Sequence, residues 1–398
     1  MIIKSKRLSF IEVFSFLCLW YFYFSSSFIL RPFPQIFWFL SIIIVIFFAF
    51  YKKHFLNRLE SIFLFSIFLL FSFSLASVDA FHSMYIVINY FIYIFVAIFL
   101  VNNCSGKVIV NQIMFFSCIH LFCTLLQIVL PNLYSLLVLP LLPSGVQGEI
   151  IEQMNWNKAY YGFTVQTSIN AMYLSIGAVL CAVKISKDNR RILNAILIIL
   201  VLLFVIATFF TVRRGSSAVL LFILLLIYFR NKSNLFTKIL LIVSGIVMLF
   251  LVGVNNIPGI KGLFDKTSNL SSSGNALNGR NLVFNVALTA IQQRPFFGFG
   301  GGMLEVATGR LFMENSYLSI IVQWGVIGAI AFFAPYVYLF KTCINNLKKQ
   351  MTDYLTKFSF YIALLAILMS LVEDYFGAPI NIFIILLISV LYKQKSTI

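Results

Sequence analysis

A succession of apolar runs, each about 17 to 25 residues long, constrains this chain more than any other feature. As helices, such runs reach across a hydrocarbon core about 30 Å thick, and a helix satisfies its own backbone hydrogen bonds where no water can. The runs at 9–30, 33–51, 60–77, 84–101, 112–130, 165–183, 192–211, 214–229, 237–254, 316–340, 358–375 and 377–392 give about twelve spans. The expected fold is all-α, a polytopic integral membrane protein forming one membrane domain over residues 1–398. A mean hydropathy of +0.99 with only 10% charged residues excludes a water-soluble globular domain. The MIIKSKR start followed by an apolar run resembles a signal sequence, but the run is long enough to span and shows no convincing cleavage site, so it reads as the first helix.

Basic residues set the expected orientation. Placing 1–8, 52–59, 102–111, 184–191, 230–236 with Lys238, 341–357 and 393–398 in the cytoplasm puts both termini inside. It leaves only Arg31, Arg213, Arg214, Arg280, Arg294, Arg310, Lys158, Lys261 and Lys266 on the outer face. That remainder is rich in arginine, whose planar fork binds phosphate oxygens in pairs. Asp79, Glu149, Glu152, Asp265, Glu305, Glu314, Glu373 and Asp374 fall on the same face, which is where polar chemistry is expected. The net charge of +17 reads as topology, not as nucleic-acid binding. The six cysteines fall in spans or cytoplasmic loops, so no disulfide framework or cysteine metal site is implied.

Two external segments are too polar and irregular to span, about 131–164 and 255–316. The first opens on NLYSLLVLPLLP, too short to cross and better suited to an interfacial or re-entrant element. It continues with Glu149, Glu152, Trp156, Lys158 and Tyr161, aromatics beside carboxylates that suit sugar binding or, equally, an interfacial aromatic belt. Asp79 and His82 read as a solvated turn. The second segment begins turn-rich through 255–278 and becomes helical at Arg280, with Leu282, Val283, Val286, Ala287, Ala290 and Ile291 on one apolar face, Asn278 as cap, and Arg294-Pro295 as its end. Arg280 and Arg294 lie about 21 Å apart on that helix, so they cannot grip one diphosphate together. Arg294 competes with an ordinary role at a helix C-terminus, whereas Arg280 sits in the first turn, where a cation is disfavoured. PFFGFGGG fits neither nucleotide-loop spacing and reads as a close-packed turn.

Arg213 and Arg214 sit at the outer end of a run of about 24 Å, where charge must pair, face a polar cavity or snorkel to lipid phosphates. Glu314 opens a span beside Asn315 and Tyr317, either as a carboxylate able to take a proton from a sugar hydroxyl or as a partner for Arg310.

Taken together, these segments resemble the Wzy/O-antigen ligase superfamily of polytopic glycosyltransferases. ATFFTVRRGSSA is similar to its Thr-x-Ser-Arg-Gly element, with Arg214 and Gly215 on the Arg-Gly and Arg213 on the Ser. GRNLVFNVALTAIQQRPFFGFGGG resembles its Gly-Arg, amphipathic helix and Pro-x-x-Gly-x-Gly. ENSYLSIIVQWGVIG resembles its His-Asn-x-Tyr-Leu followed by Gly-x-x-Gly, and GFTVQTSINAMYL faintly resembles its entry to the preceding span. The likeness covers about 161–340. Ligases of the family carry His where this chain has Glu314, so the resemblance favours the polymerase branch. It implies a GT-C-like glycosyltransferase in the bacterial inner membrane, with both long loops periplasmic and no cofactor or metal. The implied partners are undecaprenyl-diphosphate-linked oligosaccharides, membrane lipid and a chain-length regulator protein. In that setting Arg214 and Arg280 bind diphosphate with Arg213 in support, Arg294 contacts substrate or a second lipid carrier, Glu314 is the base, and Asn315 and Tyr317 position it. The rivals are an O-antigen ligase and, in another class, a lipid-linked oligosaccharide flippase. The absence of an internal repeat counts against the flippase.

Overall fold

The computed structural model describes residues 10–24, 58–185, 191–230, 280–309, 313–349 and 353–375, with residue 387. The expected spans 33–51, 237–254 and, apart from residue 387, 377–392 lie outside the described residues, as do the segment 255–278 with its cap Asn278, and Arg310. Every described element is helical. In chain order they are α1 (Phe10–Tyr23), α2 (Arg58–Ser74), α3 (Ala80–Asn103), α4 (Gly106–Val129), α5 (Pro131–Leu137), a 3-10 turn (Leu139–Leu141), α6 (Ser144–Trp156), α7 (Thr167–Lys184), α8 (Arg191–Phe210), α9 (Arg214–Arg230), α10 (Arg280–Gln293), α11 (Leu304–Thr308), α12 (Ser316–Lys349) and α13 (Tyr354–Met369).

Five of these, α3, α4, α7, α8 and α12, are long and apolar enough to cross a membrane. Four more, α1, α2, α9 and α13, occupy expected runs but are shorter, at 14, 17, 17 and 16 residues. Asp79 accepts from His82 N at 3.0 Å and starts α3, an ordinary helix cap. α7 is the centre of the bundle, buried throughout 170–183 and packed by α4, α8, α9 and α13. Its N-terminal end therefore opens among several helices at once.

The run at 316–340, expected as one span, is two helical pieces. α12 has 34 residues, about 51 Å of helix against a core of about 30 Å. It breaks at Gly325, whose φ of 65° and ψ of −176° are open only to glycine. Four backbone groups at the break find partners in the loop after α10. Phe299 N and Gly300 N donate to Val322 O and Gln323 O at 3.1 and 2.7 Å, while Val326 N and Ile327 N donate to Pro295 O and Phe296 O at 2.8 and 3.2 Å. Cβ atoms would overlap the Phe296 backbone at Gly325 and the Gln323 carbonyl at Gly298. PFFGFGGG is thus a turn, and it is the plug of a broken helix. The same loop is tied to the α2–α3 turn by Val78 N to Phe299 O at 2.9 Å and Gly301 N to Ser83 Oγ at 2.8 Å. The expected apolar face of α10 closes over the N-terminal piece of α12, with Ala287 and Ala290 buried against Phe299, Met313 and Val322 in a small second core.

Candidate functional site

The site begins at the turn between α8 and α9. α8 ends as Thr211 N and Val212 N bond back to Thr208 O and Phe209 O, and Val212 takes a left-handed φ of 59° that a β-branched side chain resists. The two arginines that follow then go different ways. Arg213 turns inward, its Nε donating to Thr167 Oγ1 at 2.8 Å and its Nη1 meeting Glu373 Oε1 at 3.3 Å. Arg214, the first residue of α9, is exposed and makes no ion pair among the described residues. The turn is held to the segment after α13 by Val372 packed against Gly215, and by Tyr375, whose hydroxyl lies 3.3 Å from Ser216 Oγ and donates to Ser168 O at 3.0 Å.

The mouth of α12 closes on the same segment. Asn315 Oδ1 accepts from Leu318 N at 3.0 Å, which makes Asn315 the cap and starts the helix at Ser316. Asn315 Nδ2 donates to Leu371 O, Ser316 N to Ser370 O, Ser316 Oγ to Glu373 O, and Tyr317 Oη to Ile367 O, at 2.9 to 3.1 Å. Glu373 therefore links both halves: its backbone is held by α12 and its carboxylate by Arg213. In the sequence it was one acid among those assigned to the outer face. No motif surrounds it, and its partner is 160 positions away. Glu314, immediately before the cap, is exposed at this mouth.

The first external segment joins from α4 and α6. Gln127 Oε1 accepts from Tyr161 N and Gly162 N, both at 2.8 Å, and Tyr134 Oη donates to Gly162 O at 2.7 Å. Tyr160 N donates to Phe210 O at 3.1 Å, placing this loop beside the arginine turn. Tyr161 is buried, with the Glu149 carboxylate within hydrogen-bonding reach and Arg213 in electrostatic range. Burial, then Glu149, pushes the Tyr161 hydroxyl above its usual pKa while Arg213 opposes the rise. Glu149, Glu152 and Trp156 share the outward face of α6, and Ile150 is buried on the other. Lys158, half-buried at a left-handed φ of 49°, turns the chain back after α6.

Arg280 begins α10, which packs along α12, and its side chain lies outside the described residues. Arg294 lies past the other end of α10, exposed, with its guanidinium 5.4 Å from the Phe299 ring centre.

The structure thus gathers Arg213, Arg214, Glu314, Asn315, Tyr317, Glu149 and Tyr161 around the N-terminal ends of α7, α9 and α12 and the C-terminal end of α13. Glu152 and Trp156 share the exposed α6 face with Glu149, and Arg294 lies apart at the helix break. Among the described residues no group of three His, Cys, Asp or Glu side chains could hold a metal. An exposed guanidinium at a helix N-terminus is suited to an anionic group, and the exposed Glu314 carboxylate at the α12 mouth to a hydroxyl.

Residues 199–333, from α8 to within α12, match the model of a family described as O-antigen ligase. That stretch contains both arginines of the turn, α10, the plug and the mouth of α12. No curated protein matches the chain.

Proposed function

Taking the O-antigen polymerase/ligase superfamily as its setting, we propose that this chain is an O-antigen polymerase that joins undecaprenyl-diphosphate-linked repeat units at the periplasmic face of the inner membrane. The reading takes about twelve spans in a GT-C-like arrangement with both termini cytoplasmic. The observation that carries it is the meeting of Arg214, the Arg213–Glu373 pair and the Glu314–Asn315 mouth of α12 at the outer ends of four helices. Polymerase is preferred to ligase because Glu314 stands where ligases of the family carry His. The family match does not favour a flippase.

In this reading a hydroxyl of one lipid-linked repeat attacks the anomeric carbon of the growing chain. The carbon–oxygen bond to the carrier breaks with its electron pair on the departing undecaprenyl diphosphate, and the hydroxyl proton passes to Glu314. Charge that builds on the diphosphate is met by Arg214 and Arg280. Arg213, already committed to Glu373 and Thr167, fixes the turn that presents Arg214. Asn315 and Tyr317 hold the α12 mouth in place, and Glu149, Glu152, Trp156, Lys158 and Tyr161 border the sugars. Arg294 is left for a separate lipid contact, and the chain-length regulator for a partner outside this site.

The test is a deletion strain complemented with variants. Loss of the chain should leave single repeats on lipid A core, and Arg214→Ala or Arg280→Ala should fail to restore long chains at normal protein level. Polymer left stranded on the carrier in the deletion strain would make the chain a ligase, and repeats trapped on the inner leaflet would make it a flippase.

A further inference from the structure

The plug region carries a feature that the proposed reaction does not use. Arg294 is exposed and has no carboxylate partner among the described residues, and its guanidinium lies over the Phe299 ring. Next to it Phe296 is 62% exposed, on a loop whose backbone is bonded to α12 at both edges of the break. Below the break, α12 presents Val326, Ile327, Ile330 and Val337 outward along one side, with Ile330 66% exposed. From Val326 to Val337 is about 16 Å of helix, close to the roughly 15 Å depth of one leaflet's hydrocarbon. The ties from the plug to Val78 and Ser83 set Arg294 and Phe296 at the level of the α2–α3 turn, which the distribution of basic residues assigns to the outer side.

We infer that this face is a binding site for an anionic phospholipid of the outer leaflet, its phosphate on Arg294 and one acyl chain over Phe296 and along the Val326–Val337 stripe. The stack on Phe299 covers one face of the guanidinium and leaves its N–H edge for phosphate oxygens. The length of the stripe matches one leaflet, as an acyl chain requires, and is much shorter than a long isoprenoid. A backbone-bonded loop also offers the lipid a preformed seat, unlike a side chain that snorkels from an otherwise plain helix. The site stands apart from the proposed reaction and does not depend on it.

Native mass spectrometry of the purified full chain, titrated with phosphatidylglycerol or phosphatidylethanolamine, tests the assignment. Phosphatidylglycerol should be retained in preference, and Arg294→Gln should lower its retention about fivefold. Phe296→Ala should weaken both lipids, and the cytoplasmic-side Lys341→Gln should change neither. Undecaprenyl phosphate at equal concentration should not displace the phospholipid. Equal retention by Arg294→Gln and the unaltered chain would overturn the proposal. So would displacement by undecaprenyl phosphate, which would make the face a carrier site.

Discussion

The Arg213–Glu373 pair allows a prediction whose asymmetry can be worked from the structure. The Glu373 side chain is 11% exposed and that of Arg213 37%, with Nη1 and Oε1 3.3 Å apart. Exposed pairs contribute about 0.2 to 1 kcal/mol, while removing one partner of a buried pair costs about 3 to 5 kcal/mol because the other charge stays uncompensated. Glu373→Gln leaves Arg213 able to rehydrate and still bonded to Thr167, so its cost should stay near 1 kcal/mol. Arg213→Met takes the guanidinium away from a carboxylate that solvent barely reaches and should cost about 3 kcal/mol. Removing both takes that charge away as well, so the double variant should recover about 1 to 2 kcal/mol relative to the sum. Unfolding midpoints in mixed micelles titrated with SDS would measure all four proteins, with the polymer ladder of complemented cells read in parallel. Equal losses from the two single changes, or a double variant equal to their sum, would refute the view that this pair is a desolvated cross-brace. An abolished ladder in Glu373→Gln at unchanged stability would move the carboxylate from bracing to chemistry.

Other substitutions probe the same frame. Gly325→Ala should destabilise by about 3 kcal/mol, because it forces a glycine-only conformation and drives a Cβ into the Phe296 backbone; normal stability would mean that the break is not held by the plug. Val212→Gly should raise stability by about 0.5 kcal/mol, since relief of the left-handed valine slightly exceeds the added backbone freedom; a clear loss would show that the valine side chain matters more than the turn. Glu314→Gln should abolish polymer at normal protein level, and a retained ladder would remove Glu314 as the base.

The elements that could be read from the chain are those whose signal is local. The runs at 84–101, 165–183 and 192–211 reappear as Ala80–Asn103, Thr167–Lys184 and Arg191–Phe210, because hydropathy is a property of neighbouring residues. The apolar face of α10 was equally plain from its three-and-four spacing, and Ala287 and Ala290 are buried as that spacing required. The break in α12 was hidden because Gly325 sits inside an apolar run and looks like any packing glycine. Only the arrival of Pro295–Gly300 makes the broken backbone tolerable in an apolar setting. Glu373 was hidden for a related reason: an acid near the end of a span has many uses, and its partner comes from the turn between α8 and α9.

The sequence by itself determined that the chain is built of apolar helices suited to a membrane and where several of them run, since both follow from the transfer energies of successive residues. Only the tertiary structure decided that adjacent arginines take different roles, with Arg213 drawn to Glu373 and Thr167 and Arg214 left exposed. That division depends on one left-handed valine and on a carboxylate brought from the far end of the chain. Such long-range desolvated pairing is set by packing, which no local pattern encodes.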